Sequence, residues 1–137
     1  MSATAILYRL LTDDPTVTAP VYPIVIPQDA KLPCLVVTLV HEDQQIVIER
    51  AQNGFRSRVS VACHGADPDA TNDLGEAVKR SLETVIHRQI MTDASPPQVQ
   101  TVATVMKAGS DMFDYDDSRT VFRRTIDFHL NWWRLPE

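Results

Sequence analysis

Glycine, cysteine and long apolar runs are scarce in this 137-residue sequence. Its four glycines form neither of the common phosphate-cradling loops, which place glycines at fixed spacing before a helix. No stretch approaches the roughly 20 apolar residues of a membrane span. The two cysteines, Cys34 and Cys63, lie in apolar strand-like runs, where a thiol acts as a small buried hydrophobe. We therefore expect no disulfide between them.

Basic residues are also in deficit, because 13 Lys and Arg stand against 18 Asp and Glu and give a net charge of −5. Broad adhesion to nucleic acid or to an anionic membrane is driven by clustered Lys and Arg, so neither is an expected partner. No basic segment precedes the short apolar run near the start, and Arg9 interrupts that run too early for a signal peptide. We expect a soluble protein that is intracellular when made.

The rest of the composition is that of an ordinary globular domain, with 44% hydrophobic and 23% charged residues. A chain of this size buries about two-thirds of its surface on folding, which provides a core without a metal or disulfide. We predict one domain that spans residues 1–137.

The C-terminal run 120–133 has the clearest pattern in the sequence. One side carries Phe122, Arg124, Ile126, Phe128, Leu130 and Trp132, and the other carries Arg123, Thr125, Asp127, His129 and Asn131. Alternation at period two predicts a strand with one solvated face, and such strands belong to antiparallel sheets.

Other segments supply neighbours for this strand. Residues 20–27 contain too many prolines for a central strand and should run extended along an edge. Residues 33–40 are almost wholly apolar and predict a central strand covered on both faces. Residues 55–64 alternate and predict a second half-exposed strand, and residues 99–106 predict another.

Two polar segments connect these strands. Residues 42–54 surround the apolar Ile46 and Ile48 and end in turn chemistry, which predicts a long hairpin arm. Residues 109–119 are predicted to be a polar connection. That connection carries Asp111, Asp114, Asp116 and Asp117.

Two amphipathic helices are predicted. Residues 3–12 have apolar side chains at helical spacing behind a serine or threonine cap, and an aspartate followed by proline begins a longer helix at about residues 68–88. Gly75 costs this helix about 1 kcal/mol relative to alanine, which suggests a close approach to the sheet. The fold class is therefore α+β, with a mainly antiparallel sheet packed by an N-terminal helix and one longer helix.

The candidate catalytic and metal-binding patterns are weak. The aspartates between residues 111 and 117 resemble a calcium loop only loosely, since Arg119 stands where a glycine is needed and Thr125 where a bidentate glutamate belongs. The cysteines and nearby histidines lack the spacing of zinc ligands, and no nucleophile elbow occurs. We expect no metal, no cofactor and no catalytic residue, so the sequence favours a binding or assembly module over an enzyme.

Several short stretches, in this order and spacing, resemble the phage tail-completion family, also called tail terminator or tail-to-head joining proteins. They are the opening helix with Asp14-Pro15, then Val21-Tyr22-Pro23, Leu32-Pro33-Cys34-Leu35-Val36-Val37, the run from Arg58 to Ala66, and the run from Phe122 to Phe128. The resemblance covers nearly the whole chain. The histidine after Cys63 and the tryptophan-rich end depart from the family pattern.

The resemblance implies a structural virion protein that forms a ring, a homo-hexamer, at the tail-neck junction. Such a ring caps the tail tube protein, ends its polymerisation and offers a docking surface to the head-tail connector, or stopper. Assembly takes place in the host cytoplasm, and DNA passes through the lumen without specific binding. No membrane is involved.

A closed ring needs two different surfaces on each subunit. Paired arginines on the exposed sides of two strands and the aspartates after residue 110 offer opposite charges, and the arm offers apolar side chains. The candidate contact residues are Arg56, Arg58, Arg123, Asp111, Asp114, Asp116, Asp117, Ile46 and Ile48. The arginines are alternatively plain solvated faces of their strands.

Two other functions stay open from the sequence. One is a head-side neck ring of the stopper or connector type, which occupies the next layer of the particle. The other is a small-ligand-binding α+β protein or enzyme whose pocket holds His41, His129 or Asp127.

Overall fold

The computed structural model describes residues 2–27, 30–46, 53–86, 88–91, 99–117 and 120–134. Within these residues the elements in chain order are α1 (Ala3–Asp13), β1 (Val21–Pro23), β2 (Cys34–Ile46), β3 (Asn53–Gly65), α2 (Pro68–Glu83), β4 (Arg88–Met91), β5 (Val99–Asp116) and β6 (Val121–Arg134). The strands form one sheet in the order β1-β2-β3-β6-β5-β4. Neighbouring strands are antiparallel except β1 and β2, which are parallel. The predicted α+β class is confirmed.

Both helices pack on one face of the sheet, which we call the inner face; the opposite side is the outer face. The helices contribute Ile6, Leu7, Leu10, Leu11, Leu74, Val78 and Leu82 to the core. The buried strand side chains of the same cluster include Phe128, Leu130 and Trp132 of β6. Full burial of one such side chain contributes about 1.5–3 kcal/mol. The β6 strand, which was predicted from its alternation, therefore contributes substantially to the core.

The two helices begin at the predicted caps. The Ser2 hydroxyl accepts a hydrogen bond from the Ala5 amide at 3.2 Å, and the Asp67 carboxylate accepts one from the Asp69 amide at 3.3 Å. Each bond satisfies one of the amides that a helix start leaves without a partner. Neither described helix has the length and apolar character needed to cross a membrane.

The predicted end of the second helix at residue 88 is wrong, because α2 stops at Glu83. The Val85 carbonyl accepts a hydrogen bond from the Val105 amide at 3.0 Å, and Arg88 then begins β4, which pairs with the first residues of β5. Val85 and Ile90 are both buried. Their apolar character continues the helical stripe, but pairing with β5 decides the backbone conformation.

The predicted polar connection at residues 109–119 is also wrong, because most of it belongs to β5. The strand continues to Asp116 through an irregularity between Ala108 and Met112, where Gly109 has a φ of 67°. Glycine adopts this conformation without the steric cost that other residues meet. The acidic residues that looked like a loop are polar positions of a half-exposed strand.

The remaining predicted strands are present with different extents. β1 is the predicted edge segment, and β2 is buried on both faces only from Cys34 to Val37, since Leu39 and Val40 are exposed. β2 and β3 form the base of the predicted hairpin arm and stay paired as far as Ile46 and Asn53. Residues 47–52, which include Ile48, lie outside the described residues.

The two cysteines are free and buried. Cys34 pairs in register with His64, whereas Cys63 pairs with Leu35, so the two thiols lie on opposite faces of the sheet. Burial raises the pKa of Cys63 to about 12. Both thiols therefore behave as small core side chains, as the sequence predicted.

Arg124 is a charged residue on the buried face of β6, and its side chain connects β6 to α2 and β5. The guanidinium donates to Asp111 at 3.1 and 2.5 Å, to the Asn72 carbonyl at 3.1 Å and to Glu76 at 3.0 Å. Its Cζ also lies 5.3 Å from the centroid of the Phe113 ring. The side chain lies directly on Gly75 of α2, where a Cβ atom would stand 2.7 Å from Arg124 Cδ and Nη1. This explains the glycine within the helix.

We expect Gly75→Ala to destabilise the protein. Alanine gains about 1 kcal/mol of helix propensity. However, the new methyl displaces a guanidinium that four hydrogen bonds hold in place, and overpacking of this kind costs roughly 1–3 kcal/mol. Urea unfolding measures the difference.

Gly54→Ala is the matched control, since a Cβ there meets no atom within 4 Å. The control should not lower the free energy of unfolding. A Gly75→Ala protein as stable as the wild type would show that Arg124 does not need this space.

Candidate assembly interface

The outer face carries most of the predicted contact residues. Both helices belong to the core cluster on the inner face, so no described helix covers the outer face. The side chains that alternate with the core positions of β3 and β6 point to this face, and they include Arg56, Arg58 and Arg123. The predicted arginine faces are therefore on one continuous surface.

Arg58 is paired within the chain. Its Nε and Nη2 atoms donate to Asp127 Oδ2 at 3.2 and 2.8 Å, across the β3–β6 pair. Both side chains are partly exposed, and exposed pairs of this kind contribute about 0–1 kcal/mol. The Asp127 carboxylate therefore offsets much of the positive charge of Arg58.

Arg123 is paired in the same manner with Asp114. The guanidinium donates two hydrogen bonds to the Asp114 carboxylate, from Nε at 2.8 Å and from Nη2 at 2.5 Å. His64, Arg123 and Asp114 are in register on the neighbouring strands β3, β6 and β5. The hydrogen bond from Arg123 lowers the pKa of Asp114. Burial lowers the pKa of His64, and the positive charge of Arg123 lowers it further. The nearby Asp116 carboxylate adds to the negative potential around Arg123.

Arg56 differs from these two arginines. It is exposed on β3, level with Asp43 and Asn131, and within the described part of the chain no ion pair engages it. Asp43 instead lies 3.2 Å from His41. At the other end of the strands, Asp117 is exposed in the turn between β5 and β6. Arg56 and Asp117 are the predicted charges best placed for a partner outside the chain.

Asp111 faces inward, away from the other aspartates. Its Oδ1 lies 2.9 Å from Lys107 Nζ and its Oδ2 accepts from Arg124, and the side chain is 12% exposed. Burial on its own raises the pKa of Asp111, but the hydrogen bonds from Arg124 and Lys107 outweigh that effect and leave the pKa below its ordinary value. Asp111 serves the internal network rather than a free surface.

The apolar arm residues are placed only in part. Ile46 is the last residue of β2, opposite Asn53, and Ile48 lies outside the described residues. Sequence reasoning missed a second apolar set on β5, where Met112, Phe113 and Tyr115 are exposed. The signal was present, because Phe113 and Tyr115 alternate with Asp114 and Asp116 in the segment predicted to be a connection.

The candidate metal ligands do not converge. Asp111 lies on the inner side and Asp114 on the outer face, so the aspartates do not surround one point. In the described ranges, no group of three or more His, Cys, Asp or Glu side chains could hold a metal ion.

Comparison with known proteins gives a structural likeness but no family. No protein-family model matches the chain, and the comparison with curated proteins gave no significant match. A solved chain from the "Virion of native gene transfer agent (GTA) particle" is similar in structure, with a TM-score of 0.55 and 14% sequence identity. The match covers 96% of this chain and 98% of that chain, so the two share a fold along nearly their whole lengths.

We expect Asp111→Asn to lower the free energy of unfolding at pH 7 by roughly 3 kcal/mol, the scale of removing one partner from a buried ion pair. The lowered pKa means that the carboxylate stabilises the folded state above its unfolded-state pKa of about 3.9. This contribution is lost as the pH falls through the folded-state pKa. The difference between wild type and variant should therefore shrink below about pH 4, as measured by urea unfolding at several pH values.

Asp117→Asn is the matched control on the exposed turn and should change the free energy of unfolding at pH 7 by less than about 0.5 kcal/mol. A gap between wild type and Asp111→Asn that stays constant into acid would contradict this assignment.

Proposed function

We propose that this chain is a structural virion protein whose copies form a ring at the end of a phage-like tail tube. The observation that carries the proposal is the nearly full-length fold match to a chain of a gene transfer agent virion. Because one fold can serve several functions, the position in the particle rests on the sequence resemblance to tail-completion proteins and on the surfaces described above. In this role the ring ends tube polymerisation and presents its other side to the head-tail connector.

Arg56 and Asp117, the exposed predicted charges without an ion pair among the described residues, lie where a heterologous contact between copies needs them. Arg56 is level with Asn131 near the end of β6, and Asp117 lies next to its start at Val121. At about 3.3 Å per strand residue, the two ends are roughly 30 Å apart. One subunit therefore offers different charges at separate places, which is the requirement for a heterologous contact that closes into a ring. We propose that six copies close the ring.

The internal pairs refine this proposal. Arg58 and Arg123 are neutralised by Asp127 and Asp114, so Arg56 and the Asp117 turn carry the charge contact between copies. With a net charge of −5, a lumen lined by carboxylates lets DNA slide through without binding.

A head-side neck ring of the stopper type is the second candidate, since a likeness to a chain of a virion is equally consistent with that position. The pocket envisaged around His41, His129 and Asp127 has weaker support. These residues lie on the outer face, and Asp127 is bound to Arg58.

A direct test mixes the purified protein with tail tubes and with head connectors, each assembled separately. Electron microscopy should show rings on the tube ends, and native mass spectrometry should give a hexamer. Rings that bind only the connector favour the neck layer. A monomer that retains a small metabolite and binds neither structure would overturn the proposal.

Charge reversal tests the contact between copies. Arg56→Glu and Asp117→Arg should each weaken the ring by roughly 1 kcal/mol per contact, the upper range for an exposed pair, and the double variant should recover most of the loss. Analytical ultracentrifugation across a salt series measures the effect, because salt screens the wild-type pair.

Arg80→Glu on α2 is the control, since it reverses another exposed arginine away from these ends. Rings that persist unchanged in molar salt and in both single variants would show that this charge contact is wrong.

A further inference from the structure

The outer edge of β5 is only partly covered. β4 pairs with β5 from Val99 to Ala103, and the Val85 carbonyl accepts from the Val105 amide. From residue 106 to residue 116, no strand in the described ranges pairs with that edge. An uncovered edge presents a row of backbone amides and carbonyls that another strand can pair with.

The opposite edge of the sheet has the same property. β1 pairs with β2 only from Leu35 to Val37. Beyond Val37, as far as Ile46, the outer edge of β2 has no partner strand among the described residues. Within the part of the chain that the structure describes, both edges of the sheet therefore lack a partner strand over part of their length.

The open parts lie at opposite ends of the strands. His41 on β2 is level with Arg58 and His129, so the open part of β2 lies at the arm. Met112 on β5 is level with Thr125 and hence with the turn between β5 and β6. Within the described residues, the unpaired segment of β2 therefore lies at the arm end of the sheet. The unpaired segment of β5 lies at the opposite end, next to the turn between β5 and β6.

The two open segments match in length. Each edge strand contains a register irregularity, between Leu39 and His41 in β2 and between Ala108 and Met112 in β5. Bulges commonly protect an edge from indiscriminate pairing. Beyond them, regular strand remains at residues 41–46 and 112–116, close to the usual strand length of 5–6 residues.

The strand directions also match. β2 is antiparallel to β3, β3 to β6 and β6 to β5, so β2 and β5 run in opposite directions. Copies related by rotation about an axis that the strands follow at a moderate tilt keep these directions. The β5 edge of one copy then meets the β2 edge of the next in antiparallel orientation, which is slightly more stable per residue than parallel pairing.

Exposed apolar side chains concentrate on the same two edges. Among the described residues, six of the ten exposed large hydrophobic side chains lie on them, namely Leu39, Val40, Met106, Met112, Phe113 and Tyr115. Three of the six lie within residues 112–116, and Leu39 and Val40 closely precede residues 41–46. Apolar side chains at a strand junction stabilise it through cross-strand contacts. The acidic residues Asp114 and Asp43 on these two strands lie beside arginines of the same chain. Asp114 binds Arg123, and Asp43 is in register with Arg56.

We propose that the sheet continues from one copy of this chain to the next through antiparallel pairing of residues 112–116 with residues 41–46 of the neighbour. The inference rests on the proposed ring and specifies how that ring closes. Each copy is displaced along the strand direction relative to the last. A closed assembly absorbs this stagger by tilting its strands relative to the ring axis, as strands do in a barrel.

Cysteine crosslinking tests the pairing. Tyr115→Cys and Gln44→Cys place one thiol on each edge, while the native Cys34 and Cys63 are buried. With a short bismaleimide, the double variant should give a ladder of covalent oligomers that ends at the ring size. A mixture of the two single variants should stop at dimers that contain one copy of each. Arg80→Cys combined with Gln44→Cys is the control and should give no ladder.

A lysine substitution provides an independent readout. Met112→Lys adds a charge to the unpaired part of β5, which blocks strand addition. Ile86→Lys changes a side chain outside both unpaired segments; the two residues are 70% and 67% exposed. Size exclusion should show Met112→Lys as a monomer with an unchanged melting temperature, and Ile86→Lys should still form rings.

The outcomes separate this inference from the function on which it rests. A ladder in the double variant and loss of rings in Met112→Lys support edge pairing. Rings that form without a ladder and survive Met112→Lys overturn edge pairing but leave the ring proposal intact. A chain that neither crosslinks nor assembles with or without tail tubes overturns both.

Discussion

The buried guanidinium of Arg124 is the interaction on which the arrangement of helix and sheet depends. It is 5% exposed and has Asp111, Glu76 and the Asn72 carbonyl as partners. A charge taken out of water costs several kcal/mol unless its hydrogen bonds are supplied, and here a strand, a helix and a helix carbonyl supply them together. The network therefore fixes α2 against β5 and β6 in one position. It also holds the start of the open β5 segment, because Asp111 immediately precedes Met112.

Local patterns in the sequence predicted the parts of this fold that depend on one segment at a time. The alternation of β6 identified its buried face, including Arg124, and Asp67-Pro68 located the start of α2. The end of α2 and the extent of β5 could not be predicted in this way. Both depend on pairing with strands that are distant in the sequence. The buried Val85 and Ile90 continue the apolar stripe of α2, so the residue types do not mark where the helix ends.

The charged residues show a similar division. The sequence placed Arg56, Arg58 and Arg123 on a solvated face, which the alternation of their strands requires. It could not show that Arg58 and Arg123 are neutralised within the chain, since Asp127 is 69 positions from Arg58 and Asp114 pairs through the β5–β6 register. Only this geometry leaves Arg56 and the Asp117 turn for another molecule. The exposed apolar residues on β5 were missed because they lie among four aspartates, which made the segment resemble a polar connection.

Taken together, the described residues form a sheet that is covered by helices on one face and has no partner strand at two diagonal positions on its edges. Hydrogen exchange on the assembled protein tests this account most directly, because it reports backbone pairing residue by residue. The account predicts that amides in residues 41–46 and 112–116 exchange freely in the monomer and become protected together when rings form. Rings in which both segments still exchange freely, while protection appears on the helices or the outer face, would contradict it.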